Sequence, residues 1–505
     1  MEFSFTYLID GLITAFSPIN IFLAMVGCLV GTLVGVLPGI GPTSGIAILL
    51  PLTAKLGDPT GSIIMLAAIY YGAMYGGSTT AIMVNIPGEA SSVCTAIDGF
   101  KLAKQGRGGS TLAICAISSW IAGTLGVIGL SFFAPPLANL ALRFGPPEYF
   151  ALMFMALALI ISLAGRALLK GLIAASFGLL ISYIGQNPLT GTSRLTFGSL
   201  DLMGGIDFIS VIIGLFAISE VFSNVEKRTK YMLSNTKVDW KPKWVEVVYC
   251  RFAMLRASIV GFFLGLLPGC APAVTTFIAY DVEKRFSKHP EKFGNGAIDG
   301  VAAVEAANNA TSSAGFVPLF AFGLPTGPAL AVLLGGFMMY GLTPGPMLFQ
   351  EQPHFVWAII ASMYLGNLLC LMLNLPLISI WARIAVIPFP ILGPLILIFS
   401  VIGAYSVRFL MFDVWMALLF GVIGYLMRKL RFPIAPLILA VVLAQMMETS
   451  LSQSLMLSDG SLTIFFTRPI AAFFMALAFL AIARGIWKQF KSNGLEDGCA
   501  CDSDD

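Results

Sequence analysis

Gly35-Val-Leu-Pro-Gly-Ile-Gly-Pro42 interrupts an apolar stretch that runs from residue 20 to residue 54. Gly265-Leu-Leu-Pro-Gly-Cys-Ala-Pro272 interrupts a second, from 253 to 281. Proline removes a backbone donor, and glycine admits conformations closed to other residues. Neither stretch therefore reads as one continuous helix.

The surroundings of these two stretches are those of a membrane protein. The 505 residues are 57% hydrophobic and only 11% charged, against about 25% charged in a soluble domain. Apolar runs of roughly 20 residues, enough to cross about 30 Å of hydrocarbon, recur from Ile21 to Ile486. The first run lacks a basic segment before it and continues through Val36, so it does not read as a cleavable signal peptide. The net charge of +3 says little about partners, and no nucleic-acid partner is expected. The eight cysteines are scattered, and Cys499 and Cys501 lie in a polar tail with no histidine nearby. With only His289 and His354 in the chain, no metal centre is expected.

Lys and Arg favour cytoplasmic loops. They cluster around Lys101–Arg107, Arg166–Lys170, Lys227–Lys243, Lys284–Lys292, Arg428–Arg431 and Lys488–Lys491, and none precedes Lys55. This distribution predicts an external N-terminus and a cytoplasmic C-terminus, which in a bacterial inner membrane makes the N-terminus periplasmic. Residues 253–281 have basic loops on both sides, so a re-entrant hairpin that returns to its own side fits the charge rule. Residues 20–54 then form its counterpart on the outside. Irregular backbone at membrane depth is tolerated only where protein buries it or it lines a cavity.

Each hairpin is followed by an interrupted apolar segment. Residues 60–97 break at Asn85-Ile-Pro-Gly88, and residues 295–342 at Gly323-Leu-Pro-Thr-Gly327. Ordinary spans are expected near 110–134, 148–164, 168–185, 207–223, 354–378, 391–407, 411–427, 432–450 and 469–485. Five crossings separate the hairpins, an odd number, so the second half should sit upside down relative to the first. The predicted fold is an all-α polytopic membrane protein of two inverted repeats. Residues 1–223 form the first repeat, 224–252 a cytoplasmic linker, 253–487 the second repeat and 488–505 a cytoplasmic tail. Pro and Gly also kink ordinary membrane helices. Four breaks, paired by position and two of them sharing a sequence, favour the repeat, which is the best pointer in a sequence to a transport site near the bilayer midplane.

The breaks suit an anion. A second half-helix presents unpaired N–H groups and a positive dipole end, and Pro42 and Pro272 stand where such halves should start. Candidate substrate and ion residues at the first hairpin and break are Pro38, Gly39, Gly41, Thr43, Ser44, Asn85, Gly88, Ser91 and Ser92. At the second they are Pro268, Gly269, Pro325, Thr326 and Gly327. Glu305-Ala-Ala-Asn-Asn-Ala-Thr-Ser-Ser313 adds Glu305, Asn308, Asn309 and Thr311, polar groups in an apolar segment, where ionisable side chains are expensive and usually functional. Glu305 could carry a coupling proton or help bind a cation; the alternative is that it pairs with a basic loop. Backbone carbonyls at the breaks could hold Na⁺. No Lys or Arg lies in 27–54, 60–100 or 294–340, so dipoles, amides, hydroxyls and bound cations would have to hold the anion. For the hydroxyls, helix packing is an equally good reading.

These motifs resemble those of the large membrane subunit of the tripartite tricarboxylate transporter family of bacteria. The resemblance rests on Gly35–Pro42, on Tyr75-Gly-Gly-Ser-Thr-Thr80 with Asn85–Gly88, and on Asp98-Gly-Phe-Lys-Leu-Ala-Lys104. Glu305-Ala-Ala-Asn-Asn309 and Gly341-Leu-Thr-Pro-Gly-Pro346 complete it. It covers nearly the whole chain and departs at Cys270-Ala271, where a second glycine would match Gly41. It implies ion-gradient-driven import, coupled to Na⁺ or H⁺, of a di- or tricarboxylate across the bacterial inner membrane. It also implies a small membrane subunit and a periplasmic solute-binding protein as partners. Analogy of fold suggests elevator-type movement, and homodimerisation stays open. The other classes are a stand-alone carboxylate carrier, a channel and a membrane-embedded enzyme. No Gly-x-x-x-x-Gly-Lys-Ser/Thr loop, His-Glu-x-x-His or Gly-x-Ser-x-Gly occurs, and no enzymatic activity is expected.

Overall fold

The computed structural model describes residues 5–37, 40–163, 168–187, 189–226, 243–384 and 389–496. Pro38, Gly39, most of the linker and the end of the tail, with Cys499 and Cys501, lie outside them. Among the described residues ten helices are long and apolar enough to cross a bilayer, as an all-α polytopic membrane protein requires. The chain folds as two compact units. One comprises residues 1–142 and 212–422, the other residues 143–211 and 423–505.

The first unit opens with α1 (Phe5–Ala15), α2 (Pro18–Val36), α3 (Gly41–Ala54), α4 (Pro59–Val84), α5 (Ser92–Leu102) and α6 (Gly108–Ala141). The helix breaks at the first tip as the sequence predicts, with Pro42 in the first turn of α3. The arms are unequal: α2 has 19 residues and α3 has 14. Asp58 caps α4 through the N–H groups of Thr60 and Gly61, and Asn85 ends it in the left-handed conformation at φ 58°. The side chains of α4 are buried from Gly61 to Met83. It packs closely on α2 through glycines on both helices. A methyl added at Gly27, Gly31 or Gly35 would overlap the backbone of Met65, Ile69 or Ala73, and one at Gly72 or Gly76 that of α2. Small residues four apart let membrane helices approach in this way.

The second unit contributes α7 (Pro146–Leu163), α8 (Leu168–Tyr183) and α9 (Leu200–Met203). At 16 residues α8 is shorter than the full span expected at 168–185. Beyond it Gly185–Gln186 pairs antiparallel with Ser193–Arg194, a two-stranded exception to the helical pattern. Arg194 stacks on Tyr183 and pairs with Glu448. Then α10 (Phe208–Ile212) ends at the boundary, and the π-helical turn Ile213–Ile218 and α11 (Ser219–Glu226) that follow it belong to the first unit.

The first unit continues with α12 (Trp244–Gly265), α13 (Pro272–Phe286), α14 (Ile298–Ala314), α15 (Phe316–Phe322), α16 (Pro328–Met339), α17 (Pro346–Glu351), α18 (Pro353–Asn374), α19 (Ile378–Ile384) and α20 (Phe389–Arg408). Pro272 is the first residue of α13, as expected. Again the first arm is longer, 22 residues against 15. Gly261 and Gly265 of α12 lie against Ala307 and Thr311 of α14, as α2 lies against α4. The second broken segment has an extra interruption at Gly315, before the expected one at 323–327. Its space is filled by the Leu330 and Thr326 side chains. After α21 (Met411–Lys429), the second unit closes with α22 (Ile434–Leu457), α23 (Ile464–Thr467) and α24 (Pro469–Glu496). There Glu148 accepts from Gly145 N at 2.8 Å and pairs with Arg468 at 2.6 Å.

Candidate functional site

Each hairpin tip meets the break that follows it. At the first, Gly88 leaves no room for a side chain: a methyl there would overlap the Gly35 carbonyl oxygen and press on Gly77. At the second, Gly269 N donates to Thr326 O at 3.0 Å, and Gly327 lies against the methyl of Ala271. Gly269 takes φ +88° and Gly323 φ +71°, values that glycine adopts without a Cβ clash. Pro268, Pro325 and Thr326 are buried. Gly41, at φ +65°, opens α3, and Thr43 and Ser44 follow it in the first turn. Pro38 and Gly39 fall outside the described residues.

The two tip–break pairs meet on α14, whose side chains are buried from Asp299 to Ala314. Glu305 is fully buried. Its Oε1 accepts from Thr95 Oγ1 of α5 at 2.5 Å, and its Oε2 from Ser119 Oγ of α6 at 3.4 Å. Among the described residues it forms no ion pair, so the alternative pairing with a basic loop is not what the fold provides. Asn308, one turn on, donates from Nδ2 to Glu89 Oε1 at 3.3 Å. Asn309 donates from Nδ2 to Glu305 O at 3.1 Å. Thr311 Oγ1 lies 2.9 Å from both Gly261 O and Thr275 Oγ1, which ties α14 to α12 and α13. Ser312 turns back to Asn308 O at 2.8 Å.

Glu89 is the residue that the sequence reading missed. It stands in the first break next to Gly88 and is 8% exposed. Ser91 Oγ donates to its carboxylate, and Ser92 Oγ accepts from its backbone N–H at 3.2 Å. A signal was there to find it. Glu89 is the only Asp, Glu, Lys or Arg between Asp58 and Asp98, the argument that had already singled out Glu305. A second missed group is Asn367 on α18. It accepts from Tyr75 OH at 2.6 Å and donates to Trp120 O at 2.8 Å and to Thr124 Oγ1 at 2.9 Å, so it joins three helices.

Ala-Ile-Asp-Gly occurs twice, at Ala96–Gly99 and Ala297–Gly300, and the two copies meet. Asp98, 1% exposed, accepts from Gly296 N and from Tyr280 OH, each at 2.7 Å, while Gly300 packs beside it. One carboxylate thus holds α5 to α13 and to the start of α14. Asp299, its counterpart, accepts from Ser287 Oγ at 2.6 Å.

The structure therefore brings Ser91, Ser92, Glu305 and Asn308 together with Glu89, and Gly269 together with Thr326 and Gly327. Thr43 and Ser44 belong to neither cluster. Glu89 and Glu305 are buried with hydroxyl and amide partners, and among the described residues no Lys or Arg pairs with either, so this region can take a cation or a proton. Around Thr326 the groups are neutral, and Pro328 starts a fresh helix whose N-terminal N–H groups suit an anion.

Comparison with known proteins agrees with the membrane character of the chain. A family model described as "Tripartite tricarboxylate transporter TctA family" matches residues 21–439. Two curated relatives come from Agrobacterium vitis. One, described as "Uncharacterized 52.8 kDa protein in TAR-I ttuC' 3'region", is 44% identical over 484 residues, 95% of this chain and 96% of its own. The other, "Uncharacterized protein in TAR-II ttuC' 3'region", is 41% identical over 232 residues, 46% of this chain and 96% of its own. No solved structure matches the chain.

Proposed function

The chain belongs to the tripartite tricarboxylate transporter TctA family, and from that premise we propose that it is the subunit that carries a di- or tricarboxylate across the bacterial inner membrane. A periplasmic solute-binding protein delivers the substrate, a small membrane subunit completes the complex, and an ion gradient drives import. The N-terminus is periplasmic and the C-terminus cytoplasmic. The two halves are inverted repeats, and the tip–break pairs move with their substrate past a fixed remainder in an elevator-type cycle.

The observation that carries this reading is the paired geometry. Gly35 with Gly88 and Gly269 with Thr326 place a helix interruption against a hairpin tip twice, and α14 touches both. Discontinuous helices paired in this way are how secondary transporters build sites near the midplane. The substrate carboxylates lie at the N-terminal ends of α3, α13 and α16, with the Thr326 hydroxyl among their donors.

Uptake of radiolabelled dicarboxylates and tricarboxylates into proteoliposomes tests the reading. Both membrane subunits are reconstituted, the binding protein is added outside, and an inward Na⁺ or H⁺ gradient is imposed. Accumulation that needs both the gradient and the binding protein is expected. Undiminished uptake without the binding protein would make the chain a stand-alone carrier, and uptake indifferent to every gradient would remove ion coupling.

A further inference from the structure

We propose that Glu89, Glu305, Asn308 and Asn309 form a binding site for one sodium ion, built from side chains of the first break and α14. The sequence offers Glu305 as a cation ligand and Asn308 and Asn309 among the substrate and ion candidates, with the backbone carbonyls of the breaks as a further Na⁺ site; the fold adds Glu89 to them. The inference rests on the reading of these breaks as the transport site.

Two observations lead to it. The first is charge. Glu89 and Glu305 are both buried, their partners are hydroxyls and an amide, and no Lys or Arg faces them from α4, α5, α6 or α14. A buried carboxylate without a compensating charge is costly.

The second is an excess of acceptors. Asn308 Oδ1 and Asn309 Oδ1 are buried and accept no hydrogen bond among the described residues. Turning the amides over does not help. Asn308 Nδ2 already faces a carboxylate oxygen and Asn309 Nδ2 a carbonyl oxygen, so each –NH₂ group is where it must be and each Oδ1 is left over. Buried polar atoms normally have partners. Glu305, Asn308 and Asn309 are spaced at i, i+3 and i+4, which puts them on adjoining parts of one helical face. The amide of Asn308 lies at Glu89 and that of Asn309 over the Glu305 turn, so the spare oxygens belong to the same neighbourhood as the carboxylates.

Hard cations take several oxygen ligands, and these groups supply them. A proton shared between two oxygens would leave at least one spare amide oxygen without a donor, whereas a metal ion can engage both.

Full-length protein in nanodiscs, without any carboxylate, gives the test. Melting temperature is followed while NaCl replaces choline chloride or KCl at constant ionic strength. NaCl is expected to raise it by a few degrees, as a ligand bound only by the folded state does. Glu305→Gln and Glu89→Gln should remove most of that shift. Binding of radioactive sodium to the wild-type protein, displaced by unlabelled NaCl but not by KCl, supplies a measurement that needs no variant to fold. A wild-type protein with no sodium-specific shift and no displaceable sodium would overturn the site, as would a full shift in both Gln variants. Since no carboxylate is present, sodium binding without carboxylate uptake would defeat the proposed function and keep this site. The opposite pair of results would do the reverse.

Discussion

The two breaks occupy equivalent places after their hairpins, yet their chemistry differs. In the first, Asn85 takes the left-handed turn, and Glu89 puts a carboxylate next to the tip. In the second, Gly323 takes the turn, and the polar side chain is the neutral Thr326. The first tip touches its break through a carbonyl pressed on Gly88, the second through a hydrogen bond from Gly269 to Thr326. The first break thus presents a carboxylate to α14, and the second a neutral hydroxyl followed by a helix N-terminus. The account assigns the cation to the first and the carboxylate to the second.

The largest effect should come from closing the tighter contact. Gly88→Val pushes a branched side chain into the Gly35 carbonyl, where no flexible group can give way. Uptake should be abolished and stability lowered by about 1–3 kcal/mol. Gly327→Ala, one residue past the place in the second break that matches Gly88, should stay near wild type. Its φ of −162° is ordinary extended backbone, and the added methyl would meet the methyl of Ala271 at 3.5 Å, a normal contact. Uptake assays and thermal melts of both variants check this, and equal losses would erase the difference between the breaks.

Next comes backbone strain at the second tip. Gly269→Val forces a β-branched residue to φ +88°, at roughly 1–2 kcal/mol, and removes the register that brings Gly269 N to Thr326 O. Membrane insertion should persist while uptake is lost. Wild-type uptake would reduce this tip to a structural kink.

The smallest effect should come from Thr311→Val. That hydroxyl lies between Gly261 O and Thr275 Oγ1, so its loss should cost about 1 kcal/mol of stability. Half-saturation for substrate and for ion should not move. A large change in either would put Thr311 back among the ligands.

Much of this arrangement was legible in the sequence because Pro and Gly in an apolar run leave few alternatives. The starts of α3 and α13 at Gly41-Pro42 and Pro272, and the end of α4 at Asn85, fall where those residues require. The interruption at Gly315 was less legible. Its signal is Pro318, three residues on, which cannot donate to Ala314 O and crowds that carbonyl, but it stands apart from the Gly-Pro cluster at 323–327. The contact between Asp98 and Gly296 was hidden, being a meeting of residues 198 apart. The division into two units, each drawing on both halves of the sequence, follows from long-range packing that no local pattern records. Glu89 is different. Its signal was local, a lone charge in an apolar segment, but the neighbouring Ser91 and Ser92 drew the reading towards hydroxyls.

The central claim is that charge chemistry belongs to the first break and neutral recognition to the second. Uptake kinetics of Glu89→Gln and Thr326→Val in the reconstituted complex, measured across substrate and Na⁺ concentrations, test it most directly. Glu89→Gln should raise half-saturation for the ion about tenfold or more, and Thr326→Val that for the carboxylate by a similar factor, the loss expected from one buried contact. Each variant should leave the other ligand's half-saturation within about twofold at saturating co-ligand. If Glu89→Gln moved only the carboxylate and Thr326→Val only the ion, or if neither value moved in either variant at normal protein levels, the assignment would be contradicted.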